Sequence, residues 1–142
     1  MSEMPQRHDF PHLQPVLTRW QDNDLNGHIA GATVYSYFET TIQAFLQQQA
    51  GLDLQEGEVL GFVVSSAADF FALPAFPDTL EVGLRVTRLA GSTVEYQLGL
   101  FQVGEQHLCA AGKVVQVFVE RSSGQPASLS APLQAALLRL QG

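Results

Sequence analysis

The stretch "TVYSYFETTIQAFLQQQAG" constrains the fold more than any other part of this chain. Tyr35, Phe38, Ile42, Phe45, Leu46 and Gln49 recur at three- and four-residue intervals, the spacing of one helical face. Ser36, Glu39, Thr40, Gln43 and Gln47 supply the polar positions around it, and Gly51 follows where a helix-ending glycine belongs. The spacing predicts one helix over 33–50. A single long apolar helix cannot bury its own face, so it needs a second layer.

The rest of the chain supplies that layer. "LQPVLTRW" (13–20) reads as a short strand, and Pro15 places it at an edge or a strand start. From residue 58 the period becomes two. "GFVVSSAADFFALP" is apolar on both faces in part and ends at Pro74. "TLEVGLRVTRL" alternates through Leu80, Val82, Leu84 and Val86, and "TVEYQLGLF" through Val94, Tyr96, Leu98 and Leu100. Ala90-Gly91-Ser92 joins these two runs as a hairpin turn. A further turn at 103–106 leads to "HLCAAGKVVQVFVE", with Val115, Val117 and Val119 on one side. A short C-terminal helix carries Leu133, Leu137, Leu138 and Leu140. The expected order is a strand, a helix, four strands in antiparallel meander and a short helix, in one domain over 1–142 with 1–12 loose. The class is α+β: a five-stranded antiparallel sheet wrapped around one central helix, the hotdog arrangement. Five strands on one helix leave edges and a broad second face, so at least a homodimer is expected.

Composition narrows the function. Hydrophobic residues make up 46% of the 142 and charged residues 15%, which fits a compact core. No apolar run approaches the ~20 residues of a membrane span, and no apolar leader precedes the fold, so a cytoplasmic location is expected. The one cysteine, Cys109, lies in an apolar stretch and reads as a buried side chain. A formal net charge of -7 argues against a general nucleic-acid binder. Six of the seven basic residues are arginine, which suits local phosphate contacts.

The chemistry is concentrated in "DNDLNGH", Asp22 to His28. Asp22-x-Asp24-x-Asn26-Gly27 imitates the start of a calcium loop, but the residue six places after Gly27 is Thr33, where that loop needs a bidentate glutamate. Capping the helix explains one such side chain, not the whole cluster. The cluster instead places a carboxylate ahead of a helix N-terminus. Backbone N–H groups there can polarise a carbonyl, and an aspartate can attack it or activate a water. Gly27 and Gly31 permit close backbone approach.

The run "TRWQDNDLNGHIAGATVYSYFE" resembles the segment aromatic-x-Asp-x-Asp-x-x-Gly-His-Val-Asn-Asn-x-x-Tyr-x-x-(Tyr/Phe)-Phe-Glu of the 4-hydroxybenzoyl-CoA thioesterase family of hotdog acyl-CoA hydrolases. "LPAFPDTLEVGLRVTRLAGSTVEYQL" and "AAGKVVQVFVERSSGQPASL" resemble its later strands. The resemblance implies Asp24 as nucleophile or general base and the Gly31 amide as carbonyl polariser. It makes His28 a further catalytic candidate, unless that side chain only caps or packs, and gives Asp22, Asn26 and Gly27 to substrate binding, where they shape the loop or hold water. It places the acyl-CoA at a dimer interface, with the nucleotide on basic residues such as Arg85, Arg88, Lys113 or Arg121. No metal or separate cofactor is implied; coenzyme A enters as part of the substrate. The chain departs from the pattern at Ala30-Gly31, where the family has Asn-Asn, at Val34, where it has tyrosine, and at Pro77-Asp78, where it has Gly-Asp. Acyl-CoA hydrolysis is the leading expectation. The alternatives are acyl-ligand binding without turnover and a dehydratase using His28 with Asp24 or Glu39.

Overall fold

The protein is seen in a computed structural model that describes residues 4–141. Five strands and two helices follow one another as β1 (His12–Leu17), α1 (Gly31–Ala50), β2 (Val59–Phe70), β3 (Thr79–Ala90), β4 (Thr93–Gln102), β5 (Ala110–Glu120) and α2 (Ala131–Arg139). The strands form one antiparallel sheet in the order β1-β3-β4-β5-β2. α1 and α2 pack together on one face of it, giving the expected hotdog architecture.

α1 begins two residues earlier than its apolar spacing predicts and ends at Gly51, whose left-handed φ of 67° lets its N–H reach Leu46 O. Its buried face is Val34, Tyr37, Phe38, Thr41, Ile42, Phe45 and Leu46. Val34 and Tyr37 therefore take the place expected for Tyr35, and Gln49 is exposed. Opposite this face lie Leu80, Val82, Leu84 and Val86 of β3, Val94, Tyr96, Leu98 and Leu100 of β4, and Val114 and Phe118 of β5. Val115, Val117 and Val119 alternate onto the outer face, where they are half-buried. α2 buries Leu133, Ala136 and Leu137 but leaves Leu138 exposed, and Leu140 just after it is buried too.

Two expectations are corrected. Only β3, β4 and β5 form the meander. β2 pairs with β5 instead, from Val59 against Glu120 to Phe70 against Ala110, and is an edge strand. Alternation reports which face a residue takes, not which strand it meets. The segment 71–78 must therefore cross the strand ends to reach β3, and this crossing runs past the loop that precedes α1.

The second correction concerns the N-terminus; residues 1–3 lie outside the described residues. Residues 4–11 are not loose but lie on the outer face of the sheet. Phe10 is buried against the notch left by Gly83 and Gly99 and packs edge-on to Phe101 at 5.8 Å between centroids. Arg85 stacks on Phe10 at 5.5 Å, and Arg7 pairs with the buried carboxylate of Glu81.

The sheet admits α1 closely because Gly112 sits beneath Phe38. A Cβ at residue 112 would stand 2.4 Å from Phe38 Cε2. Gly112→Ala is expected to destabilise the fold by about 1–3 kcal/mol through overpacking, read as a lower urea midpoint.

Candidate active site

The polar loop folds back on itself. Asn23 and Ile29 form an antiparallel bridge, and Ala30 N–H donates to Asp22 O at 3.1 Å. Asp24 N–H donates to His28 O at 2.8 Å, and Gly27 closes the turn with a φ of 83°. The Asp24 side chain fastens the same turn: its Oδ1 accepts from Asn26 N at 2.8 Å and from His28 N at 3.4 Å. Asp24 itself is exposed in the single chain, as are Asn26 and Gly27, while His28 is half-buried.

Asp22 behaves differently, although it lies only two residues away. It is 2% exposed. Its Oδ2 accepts from the Tyr37 hydroxyl at 2.7 Å and from Arg19 N at 3.0 Å, and its Oδ1 accepts from Arg19 Nη2 at 3.1 Å. Burial pushes this carboxyl up, but the Tyr37 hydroxyl and the Arg19 amide and guanidinium together hold it below the usual carboxylate range. Burial and the carboxylate in turn raise the Tyr37 hydroxyl above its ordinary value. With both oxygens occupied within the chain, Asp22 anchors the loop to α1.

The loop ends at the start of α1. Thr33 and Val34 N–H groups both return to Ala30 O, and Ala30 provides no side-chain cap. The N–H groups of Gly31 and Ala32 thus have no acceptor among the described residues, as the first turn of a helix dictates. They are the available donors for a carbonyl oxygen, on the same clamped loop that carries Asp24. Losing the family's Asn-Asn pair at 30–31 therefore leaves the backbone donors in place.

The crossing segment forms the third side. Ile29 N–H donates to Pro74 O at 2.8 Å, and Phe76 N–H donates to Asn23 Oδ1 at 3.0 Å. Phe71 and Ala72 N–H groups share Cys109 O. Sequence reasoning missed Asn23, Tyr37 and Phe70 here. The aromatic run at 70–71 reads as core when the crossing is not known.

Arg85 and Arg88 are not brought to Asp24 in one chain. Both lie on the outer face. Arg85 donates to Gln97 Oε1 at 2.5 Å as well as stacking on Phe10. Arg88 pairs with Glu95 at 3.8 Å, near the β3–β4 hairpin, and Glu95 also meets Lys113 at 3.4 Å. A cleft of about 560 Å³ between Glu56–Val59 and Glu120–Ser122 is likewise remote. It sits at the Val59 end of the β2–β5 ladder, about 35 Å from the Phe70 end by strand rise.

Residues 18–137 match the sequence pattern of the thioesterase-like superfamily. The chain belongs to that superfamily. It is 48% identical to the PA5185 protein of Pseudomonas aeruginosa, over 97% of this chain and 96% of that one, with a TM-score of 0.95. It is 30% identical to a thioesterase of Thermus thermophilus solved with coenzyme A and Zn, over 94% and 96% of the two chains, with a TM-score of 0.76. A 1,4-dihydroxy-2-naphthoyl-CoA thioesterase of Synechocystis shares the fold at 21% identity, over 89% and 94%, with a TM-score of 0.79. Among curated proteins, none matches this chain.

Two outcomes follow for Asp22. Tyr37→Phe removes a buried hydrogen bond to the carboxylate and is expected to cost about 1–3 kcal/mol, measured by urea unfolding. Because Asp22 is depressed below its ordinary 3.8 in the folded chain, its contribution is complete above that value and is lost as pH falls through the lower folded one. The difference in stability between the native chain and Asp22→Asn should therefore shrink in acid, followed by urea midpoints from pH 6 down to about pH 3.

Proposed function

We propose that the protein hydrolyses acyl-CoA thioesters to a carboxylic acid and free coenzyme A, with Asp24 as nucleophile or general base. One observation carries this reading. A carboxylate fixed by its own turn and a helix start with unpaired N–H groups belong to one clamped loop. The Gly31 and Ala32 amides receive the thioester oxygen, which gains charge as the carbonyl is attacked. Attack is either by Asp24 itself, followed by water, or by a water whose proton Asp24 takes. Collapse of the adduct breaks the C–S bond, and the departing sulfur leaves as the coenzyme A thiol once it regains a proton. The Thermus neighbour, named as a thioesterase and solved with coenzyme A, supports the substrate class. The closer affinity to 4-hydroxybenzoyl-CoA thioesterases rests on the sequence resemblance, chiefly the Asp-x-Asp-x-x-Gly-His run and less on the later strands.

The working unit of this reading is a homodimer or homotetramer. Asp24 is open to solvent in one chain, and the edge strand β2 exposes Phe62 and Val64 at 58% and 55%. A second protomer would cover such an edge and enclose the carboxylate. Arg85 or Arg88 would meet the nucleotide only from another protomer.

Thiol release from a panel of acyl-CoAs tests the proposal. Asp24→Asn retains an oxygen for the turn amides but neither a base nor an anionic nucleophile, and should lower kcat/KM by roughly 10²–10⁴-fold. Undiminished release by that variant would sink the role of Asp24. Saturable acyl-CoA binding with no release by the unsubstituted protein would replace hydrolysis with simple ligand binding.

A further inference from the structure

The start of α1 has a neighbour that neither the polar cluster nor the reaction accounts for. Phe70, the last residue of β2, points the tip of its ring at Gly31. A Cβ built on Gly31 would lie 3.4 Å from Phe70 Cζ, 3.8 Å from Cε2 and 3.9 Å from Cε1. An alanine there would just touch the ring, and any longer side chain would displace it. The ring is 43% exposed, so it is not filler in a sealed core. Its position is imposed by the backbone. Phe70 pairs with Ala110 across the ladder, and the next two N–H groups both bond to Cys109 O at 2.8 and 3.1 Å. The ring is therefore held at the start of α1, where the Gly31 and Ala32 amides have no acceptor among the described residues. Phe71 and Leu73, 54% and 60% exposed, continue the apolar surface from it.

We propose that Phe70 is a specificity-determining residue, the wall of the acyl subsite beside the Gly31 amide. This rests on the reading of Gly31 as the carbonyl-polarising position. A carbonyl oxygen bound at that amide brings the carbon next to the carbonyl against the ring. An apolar, unbranched start to the acyl group then packs on an aromatic surface, which favours it. A substituent on that carbon meets the ring instead. The ligand class is thus acyl-CoA with a CH₂ next to the carbonyl, and α-branched acyl groups are excluded.

The test compares butanoyl-CoA with 2-methylpropanoyl-CoA, equal in carbon number and differing only in branching. With the unsubstituted protein, kcat/KM should favour the straight chain by tenfold or more. Phe70→Ala should reduce that preference at least fivefold, chiefly through KM for the branched substrate. Phe70→Leu, which keeps apolar bulk in the strand, should fall between. Equal losses on both substrates, or an unchanged preference, would overturn the proposal and leave Phe70 a packing residue. The same branching is measured by calorimetric binding of non-hydrolysable ketone thioethers that keep the carbonyl, S-(2-oxopentyl)-CoA and S-(3-methyl-2-oxobutyl)-CoA. Absence of thiol release overturns the hydrolase reading alone. A binding preference that Phe70→Ala abolishes upholds the wall without turnover, and one it leaves intact overturns it.

Discussion

The buried carboxylate of Asp22 is the constraint on which the site depends. Removing a charge from water is costly unless every oxygen finds a donor. Here the Tyr37 hydroxyl, the Arg19 amide and the Arg19 guanidinium supply those donors. The first belongs to α1 and the others to the chain just after β1. The bonds therefore set where the polar loop leaves the sheet and where the helix begins. The backbone of Asp22 adds a further link through Ala30 N–H. Everything between residues 22 and 30 hangs from two ends fixed at the same residue, one by the Asp22 side chain and the other by its carbonyl, which is how an exposed aspartate keeps a defined orientation on a surface turn.

Three segments distant in sequence meet at this corner. The loop contributes the acid and the helix contributes unpaired amides. The end of β2 contributes the aromatic ring, and the crossing to β3 takes part in two bonds that brace the loop, Ile29 N–H donating to Pro74 O and Phe76 N–H to Asn23 Oδ1. That crossing exists because β2 sits on the far side of β5 rather than beside β3. Sheet topology and site geometry are in this sense the same fact. A meander would have joined β2 to β3 by a tight turn and left the helix start bare.

Much of the fold was legible because periodicity reports burial. The long helix, the β3–β4 hairpin at Gly91 and the amphipathic C-terminal helix all follow from spacing. The position of β2 was not legible, since its alternation is the same whichever neighbour it has. The two aspartates were also indistinguishable as letters. In an extended chain they would share a side. The short 3-10 turn at Trp20–Asp22 rotates Asp22 inward, while Asp24 opens the next turn and points out. Asp24 is the exposed one of the pair and Asp22 the buried one, and only the path of the backbone shows that Asp22 bonds Tyr37. Arg85 and Arg88 looked free for the same reason: nothing in their surroundings on the chain announces Phe10 or Glu95.

The N-terminal segment has a bearing on how this chain is handled at the bench. Phe10 occupies a recess made by two facing glycines, Gly83 and Gly99, and Arg85 closes over it. Those glycines have no side chains with which to fill the hollow themselves. Trimming residues 4–11 to tidy an expression plasmid would open a greasy pit on the back of the sheet, next to strands whose valines are already half bare.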